Sequence, residues 1–231
     1  MKGLLILLFG PLFHSGLIAQ TTSVTVKAGS KIKDVLATED LFLYPRFIKG
    51  KVFFRDGTKA EAQLNYCSLG SEMHFIGPKG DTLVLAGEET VQLIQIDKDS
   101  FYYDKGYVRI IGGNNYLKLA RKELWIVTDT KKVGAYNTSS NSSSITSYTA
   151  YNEGGRTYDL VINEDMLLKK AEQYYFGDKF NHFVLAGKQN LLALFPKKQG
   201  LIKTYLKENK IDFDNREDLG KLVRLLSEPA R

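Results

Sequence analysis

Cysteine and histidine form the side-chain pair best suited to nucleophile and base. The stretch LNYCSLGSEMHFIGPKGDTL, Leu64–Leu83, holds the only cysteine of the chain, Cys67, and one of its three histidines, His74. A thiol nucleophile also needs a third group to orient its base, and donors for an oxyanion. The stretch signals neither. The plainer reading is a β-hairpin in which Tyr66 faces the core and Met73 and Phe75 form the next inward pair. Cys67 and His74 then share the opposite, outward face with Glu72 and Ile76. No catalytic residue is assigned.

The remaining chemistry is equally sparse. His14 lies in the leader described below, which leaves His74 and His182 far apart. No HExxH, CxxC or EF-hand pattern occurs. Asp97–Ser100 begins like a calcium loop, but no glycine stands at the sixth position and no glutamate at the twelfth, so it reads as a turn. No GxSxG elbow is present. The IIGGNN run sits between strands and opens no helix, so it offers no phosphate cradle. Asp81, Asp97 and Asp99 fall on turns, where two carboxylates could face each other as in a glycosidase. No metal and no cofactor is assigned.

Aromatic residues are the one enriched class, at 12%. Tyr102, Tyr103, Tyr107 and Tyr116 gather around one hairpin region and form the candidate binding surface, because exposed tyrosines stack on sugars or partner proteins. The competing role is closure of the ends of a barrel.

These residues need elements to hold them. From Leu41 to Val127 the pattern is short strands and turns. Val52–Arg55 and Ala60–Tyr66 flank Asp56-Gly57, a strong hairpin signal because the turn needs positive φ. EMHFIG and TLVLAG flank PKGD. VQLIQID, two or three strands around Lys105-Gly106 and Gly112–Asn115, and LWIVTD follow. Strands this close pair antiparallel, since parallel pairs need long crossovers. A meander curling into a barrel or sandwich is expected over 20–135. Tyr136–Arg156 is rich in Ser, Thr and Asn and reads as a flexible loop; it holds sequons at Asn137 and Asn141. In the last segment, 157–231, RTYDLVI reads as one more strand. NEDMLLKKAEQYYF then shows helix-like spacing at Met166, Leu167, Ala171 and Tyr174/Tyr175. Further helices are expected over Gln189–Phe195, stopped by Pro196, over Lys198–Asn209 with Leu201, Ile202, Tyr205 and Leu206 on one face, and over NREDLGKLVRLLSE, capped by Asp214 or Asn215. The predicted class is α+β, an antiparallel meander followed by short C-terminal helices.

The first residues set the expected compartment. Lys2 precedes an apolar run from Leu4 to Phe9, and small residues lead to Ala19, where a signal peptide, 1–19, would be cut. The run is broken by Gly10, Pro11, His14 and Ser15, too soon for the roughly 20 apolar residues of a spanning helix. A periplasmic or secreted chain with no integral membrane segment is expected. One cysteine allows no internal disulfide, so packing must hold the fold. Lysine and arginine number 32 against 26 acids, a mild and scattered excess. It forms no stripe along which a nucleic acid could lie.

The run DGTKAEAQLNYCSLGSEMHFIGPKGDTLVL resembles exported proteins of Bacteroidota in which an LNY strand precedes a GEM.FI…GDTL hairpin. The tail LLALFPKKQGLIKTYLKENKIDFDNREDLGKLVRLL resembles a helical ending that recurs in the same group. The resemblance implies export and an envelope setting, and it carries over no catalytic residues. Cys67 and Ser71 stand where the group has Asn and Gly. The expected function is non-enzymatic binding of an envelope protein or surface glycan. The alternatives are a glycan or peptide hydrolase with carboxylates, and a small-ligand carrier using a barrel interior.

Overall fold

The computed structural model describes residues 23–133, 139–142, 146–147 and 164–227. The expected leader, most of Tyr136–Arg156 with Asn137, and RTYDLVI lie outside them.

In chain order the elements are β1 (Ser23–Val26), α1 (Ile32–Val35), α2 (Thr38–Leu41), β2 (Ile48–Phe54), β3 (Lys59–Cys67), β4 (Glu72–Ile76), β5 (Thr82–Val84) and β6 (Val91–Ile96). Then come β7 (Asp99–Tyr103), β8 (Tyr107–Gly113), β9 (Lys118–Val133), β10 (Ser139–Ser142), β11 (Thr146–Ser147), β12 (Asp165–Gly177), β13 (Phe183–Leu185), α3 (Lys188–Leu194), α4 (Gln199–Glu208) and α5 (Arg216–Ser227). The strands make one antiparallel sheet in the order β1-β12-β9-β8-β7-β6-β2-β3-β4-β5, with β10 and β11 on β9 and β13 on β12. This is the expected α+β meander with C-terminal helices.

Turn chemistry sets its hairpins. At the β2–β3 turn Gly57 takes φ +87°, and the Asp56 carboxylate accepts from the Thr58 amide at 2.8 Å and the Thr58 hydroxyl at 2.7 Å. Asp97 takes φ +51° between β6 and β7, so the DKDS run is a turn.

The sheet curls, bringing β3 over β9. The Tyr66 hydroxyl donates to the Glu123 carbonyl at 2.7 Å, and the Tyr107 amide donates to the Ser71 carbonyl at 2.7 Å. The curl is filled by Val52, Leu64, Tyr66, Met73, Ile94, Phe101 and Tyr107, all buried. A second cluster ties the N-terminus to the sheet: Ile32, Leu36 and Leu41 of the α1–α2 segment meet Cys67, Trp125, Val127 and Leu168. A third joins the C-terminal helices, through Leu191, Ile202, Leu219 and Leu222, to Leu119, Tyr174 and Phe176 of the sheet.

Three expectations are corrected. NEDMLLKKAEQYYF is not a helix: residues 165–177 are β12, in register with β9 from Asp165↔Lys131 to Gly177↔Lys118. Leu168, Tyr174 and Phe176, an even spacing, are its buried inward residues, and Tyr175 faces the other side. The partner strand on β9 decides this segment, overriding a local spacing that also fits a helix. Within the polar segment read as a loop, Ser139–Ser142 and Thr146–Ser147 are strands on β9, and Asn141 lies in the first. Leu201, expected on the buried face of α4, is exposed. The single-turn helices α1 and α2 carried no periodic signal in the sequence.

The other C-terminal helices stand where periodicity placed them. Asn215 caps α5, its Oδ1 accepting from the Glu217 amide at 2.9 Å and the Asp218 amide at 3.2 Å. Such a side chain satisfies helix donors that have no partner in the first turn.

Candidate binding site

Cys67 and His74 do share a sheet face, as the hairpin reading requires, but they are not cross-strand partners. Cys67 stands opposite Glu72 and His74 opposite Asn65. That face is not wet. It is covered by the chain leaving α2, where Phe42 bridges Cys67 and its ring meets the His74 ring edge-on at 5.5 Å. Cys67 is 0% exposed among apolar side chains, and His74 Nε2 lies 3.3 Å from Glu72 Oε2. A thiol so enclosed cannot reach a substrate.

The four tyrosines do not form one surface. Tyr107 is buried inside the curl, and Tyr103, half-buried, meets its ring edge-on at 5.3 Å. Tyr102 points to the opposite face and packs on Phe183 at 5.7 Å. Tyr116 alone is open, at 72% exposure, on the β8–β9 hairpin.

On that same opposite face Lys122 is only 4% exposed. Its ammonium donates to the Lys105 carbonyl at 2.9 Å and the Asp104 carbonyl at 3.3 Å, and lies 5.1 Å from the Tyr175 ring centroid. Burial lowers its pKa from 10.5 to about 8. The unfolded chain therefore holds a proton that the folded chain has lost between those two values, and stability rises with pH there. Tyr44, Tyr66, Tyr107 and Tyr174 act the other way, since burial raises each of them. Above pH ~10 the unfolded chain sheds phenol protons that the folded chain keeps, and stability falls. Denaturant titrations should show stability climbing by on the order of 2 kcal/mol from pH ~8 to ~10 and then declining. Lys122→Met should remove most of the climb, since burial also lowers Lys118, and leave the decline. A wild-type curve flat across this window contradicts the burial argument.

The inner face of the sheet carries a belt of charge between its apolar clusters. Arg109 of β8 reaches Glu123 Oε1 at 3.1 Å and Asp99 Oδ2 at 3.4 Å. Arg121 of β9 reaches Glu123 Oε1 at 2.6 Å and Glu172 Oε1 of β12 at 2.5 Å. The Tyr44 and Tyr174 hydroxyls cap the two ends, donating to Asp99 at 2.6 Å and to Glu172 at 2.7 Å. Desolvation raises the Glu123 carboxyl, against the pull of Arg109 and Lys170. Four strands contribute to this belt, and its visible sequence signal is charge at inward positions: Arg121 and Glu123 lie between buried Leu119 and Trp125 on the same face of β9.

Beside the belt a groove opens between α5 and the end of β8, enclosing about 900 Å³. Ile111, Leu119 and Val223 give it an apolar floor, and Arg216, Lys221 and Arg224 line its helical wall with one acid, Glu217. Among the described residues, Gly112 on the sheet side and Gly220 on the helix side each have no atom packed within 4 Å of where a Cβ would stand. Gly113 is needed by the turn itself: at φ +97° a Cβ would run into the Leu117 carbonyl. The volume is that of a ligand-sized cleft.

Comparison with protein-family models, curated proteins and solved structures returns no match to this chain.

Proposed function

We propose that the chain is an exported, non-enzymatic binding protein, periplasmic or secreted, whose partner is another protein of the cell envelope held in the α5–β8 groove. The groove carries this reading. It joins an apolar floor to a cationic wall, the mixture by which a surface both buries and orients a partner. The belt beside it supports the same view, because its carboxylates are engaged by Arg109, Arg121 and two tyrosines. The carrier alternative loses support, since side chains fill the curl.

A hydrolase is the second reading, favoured by one observation: burial pushes the Glu123 carboxyl up, as a proton donor requires. It would need Glu123 released from both arginines.

The test is in-cell cross-linking of the tagged mature protein and identification of what is captured, with Gly220→Leu as the partner variant. That leucine fills the groove at an open helix position. One dominant envelope protein captured by the wild type and lost with Gly220→Leu supports the reading. Capture indifferent to the substitution, or nothing above background, overturns it.

A further inference from the structure

β8 outruns its neighbour. It pairs with β7 only from Tyr103↔Tyr107 to Phe101↔Arg109, yet continues along β9 to Gly113↔Lys118. Among the described residues, Ile110–Gly113 has no strand on its β7 side. An open strand edge offers backbone donors and acceptors to any extended chain that reaches it. The groove runs along this edge, with Ile111, Gly112 and Gly113 in one wall and α5 in the other.

Both walls are pared back for close approach. A helix-interior glycine costs about 1 kcal/mol relative to alanine. Among the described residues nothing packs where a Cβ on Gly220 would stand, so their packing does not require this glycine. Gly112 faces the same open space from the strand. Missing side chains on both sides leave room for a backbone. The wall also selects charge: Lys221 is shared with Asp218 at 3.0 Å, whereas among the described residues Arg216 and Arg224 form no ion pair.

We infer that the groove takes an extended acidic peptide, added as a strand to the Ile110–Gly113 edge of β8 beneath α5. Its backbone pairs with β8. Alternate side chains rest on Ile111, Leu119 and Val223, and its carboxylates meet Arg216 and Arg224. This rests on the groove-binding reading above and specifies the mode.

The probe is a display library of short linear peptides, panned on the full mature chain. The selected sequences are then resynthesised with single backbone N-methyl groups, which remove one donor at a time. Acidic sequences should be enriched. N-methylation at every other position should weaken binding about tenfold or more, with intervening positions tolerant. Gly220→Leu should abolish binding, and R216E with R224E should erase the acidic preference while the unfolding curve stays unchanged. A flat methylation scan, an empty library or selected peptides blind to Gly220→Leu overturns strand addition. So does a dimer joined through this edge, or a cross-link from the groove to residues 134–163 of the same chain. Where an envelope partner is still captured through Gly220 but the methylation scan is flat, the groove reading survives and the strand mode falls. Where both fail, both fall.

Discussion

Trp125→Ala is expected to be the most damaging single truncation, lowering unfolding free energy by about 3–5 kcal/mol. Trp125 is fully buried among Ile32, Leu41, Cys67 and Leu168, and its indole N–H donates to the Asp40 carbonyl at 3.3 Å. The substitution removes the largest side chain of the cluster and leaves a cavity bounded on one side by two single-turn helices. Helices that short have no stability of their own. They stay folded because this side chain is there to pack against. Trp125→Phe retains most of the volume and should lose much less. Chemical denaturation with the m-value monitored checks the expectation. A loss below about 1 kcal/mol would mean that the cluster is loosely packed. The chain has one tryptophan, so the wild-type emission reports this cluster directly.

Arg121→Met is expected to cost about 3 kcal/mol, the scale for removing one partner of a buried ion pair. Arg121 holds Glu123 and Glu172 together. Without it two carboxylates face each other across β9 and β12, where Glu172 and Glu123 are register partners, and Glu123 keeps its ion pair with Arg109 and the weaker pull of Lys170. The loss should shrink as the solution is acidified. A carboxyl whose folded pKa is raised favours the folded state once it is protonated, and burial already raises Glu123. Arg121→Met combined with Glu123→Gln should recover part of the loss, and the double-mutant cycle gives the coupling. Strict additivity of the two substitutions would show that the belt is not a coupled network.

The hairpins were legible because their turns are chemical statements. Asp56-Gly57 fixes one and Gly113 another, and the alternation of Ala60, Ala62, Leu64 and Tyr66 tells which face of β3 turns inward. The helices α3 to α5 were legible from spacing, down to Asn215 as the cap of α5. β12 was not. Met166, Leu167, Ala171 and Tyr174 satisfy a helical period by accident, and what makes the segment a strand is β9, some forty residues earlier in the chain. The belt was hidden for the same reason: Asp99, Arg109, Glu123 and Glu172 lie on different strands, and only the register places them together. The groove depends on two glycines whose meaning lies in what does not surround them, which no local pattern expresses. The tyrosines misled in the opposite way. Neighbours in sequence, Tyr102 and Tyr103 point to opposite faces, because that is what adjacent residues of a strand do.

β1 pairs with β12, setting Ser23 opposite Lys169. The beginning of the described chain therefore has no seat until most of the rest has been made. Hairpins such as β2–β3 can close locally and early, whereas this pairing must wait for the longest loop among the described strand pairings to close. Contacts of such separation slow folding toward the millisecond-to-second range. On the proposed route out of the cytoplasm, that delay leaves the chain open while it is still to be threaded across a membrane, and the final strand pairing becomes the step that commits it to its folded form.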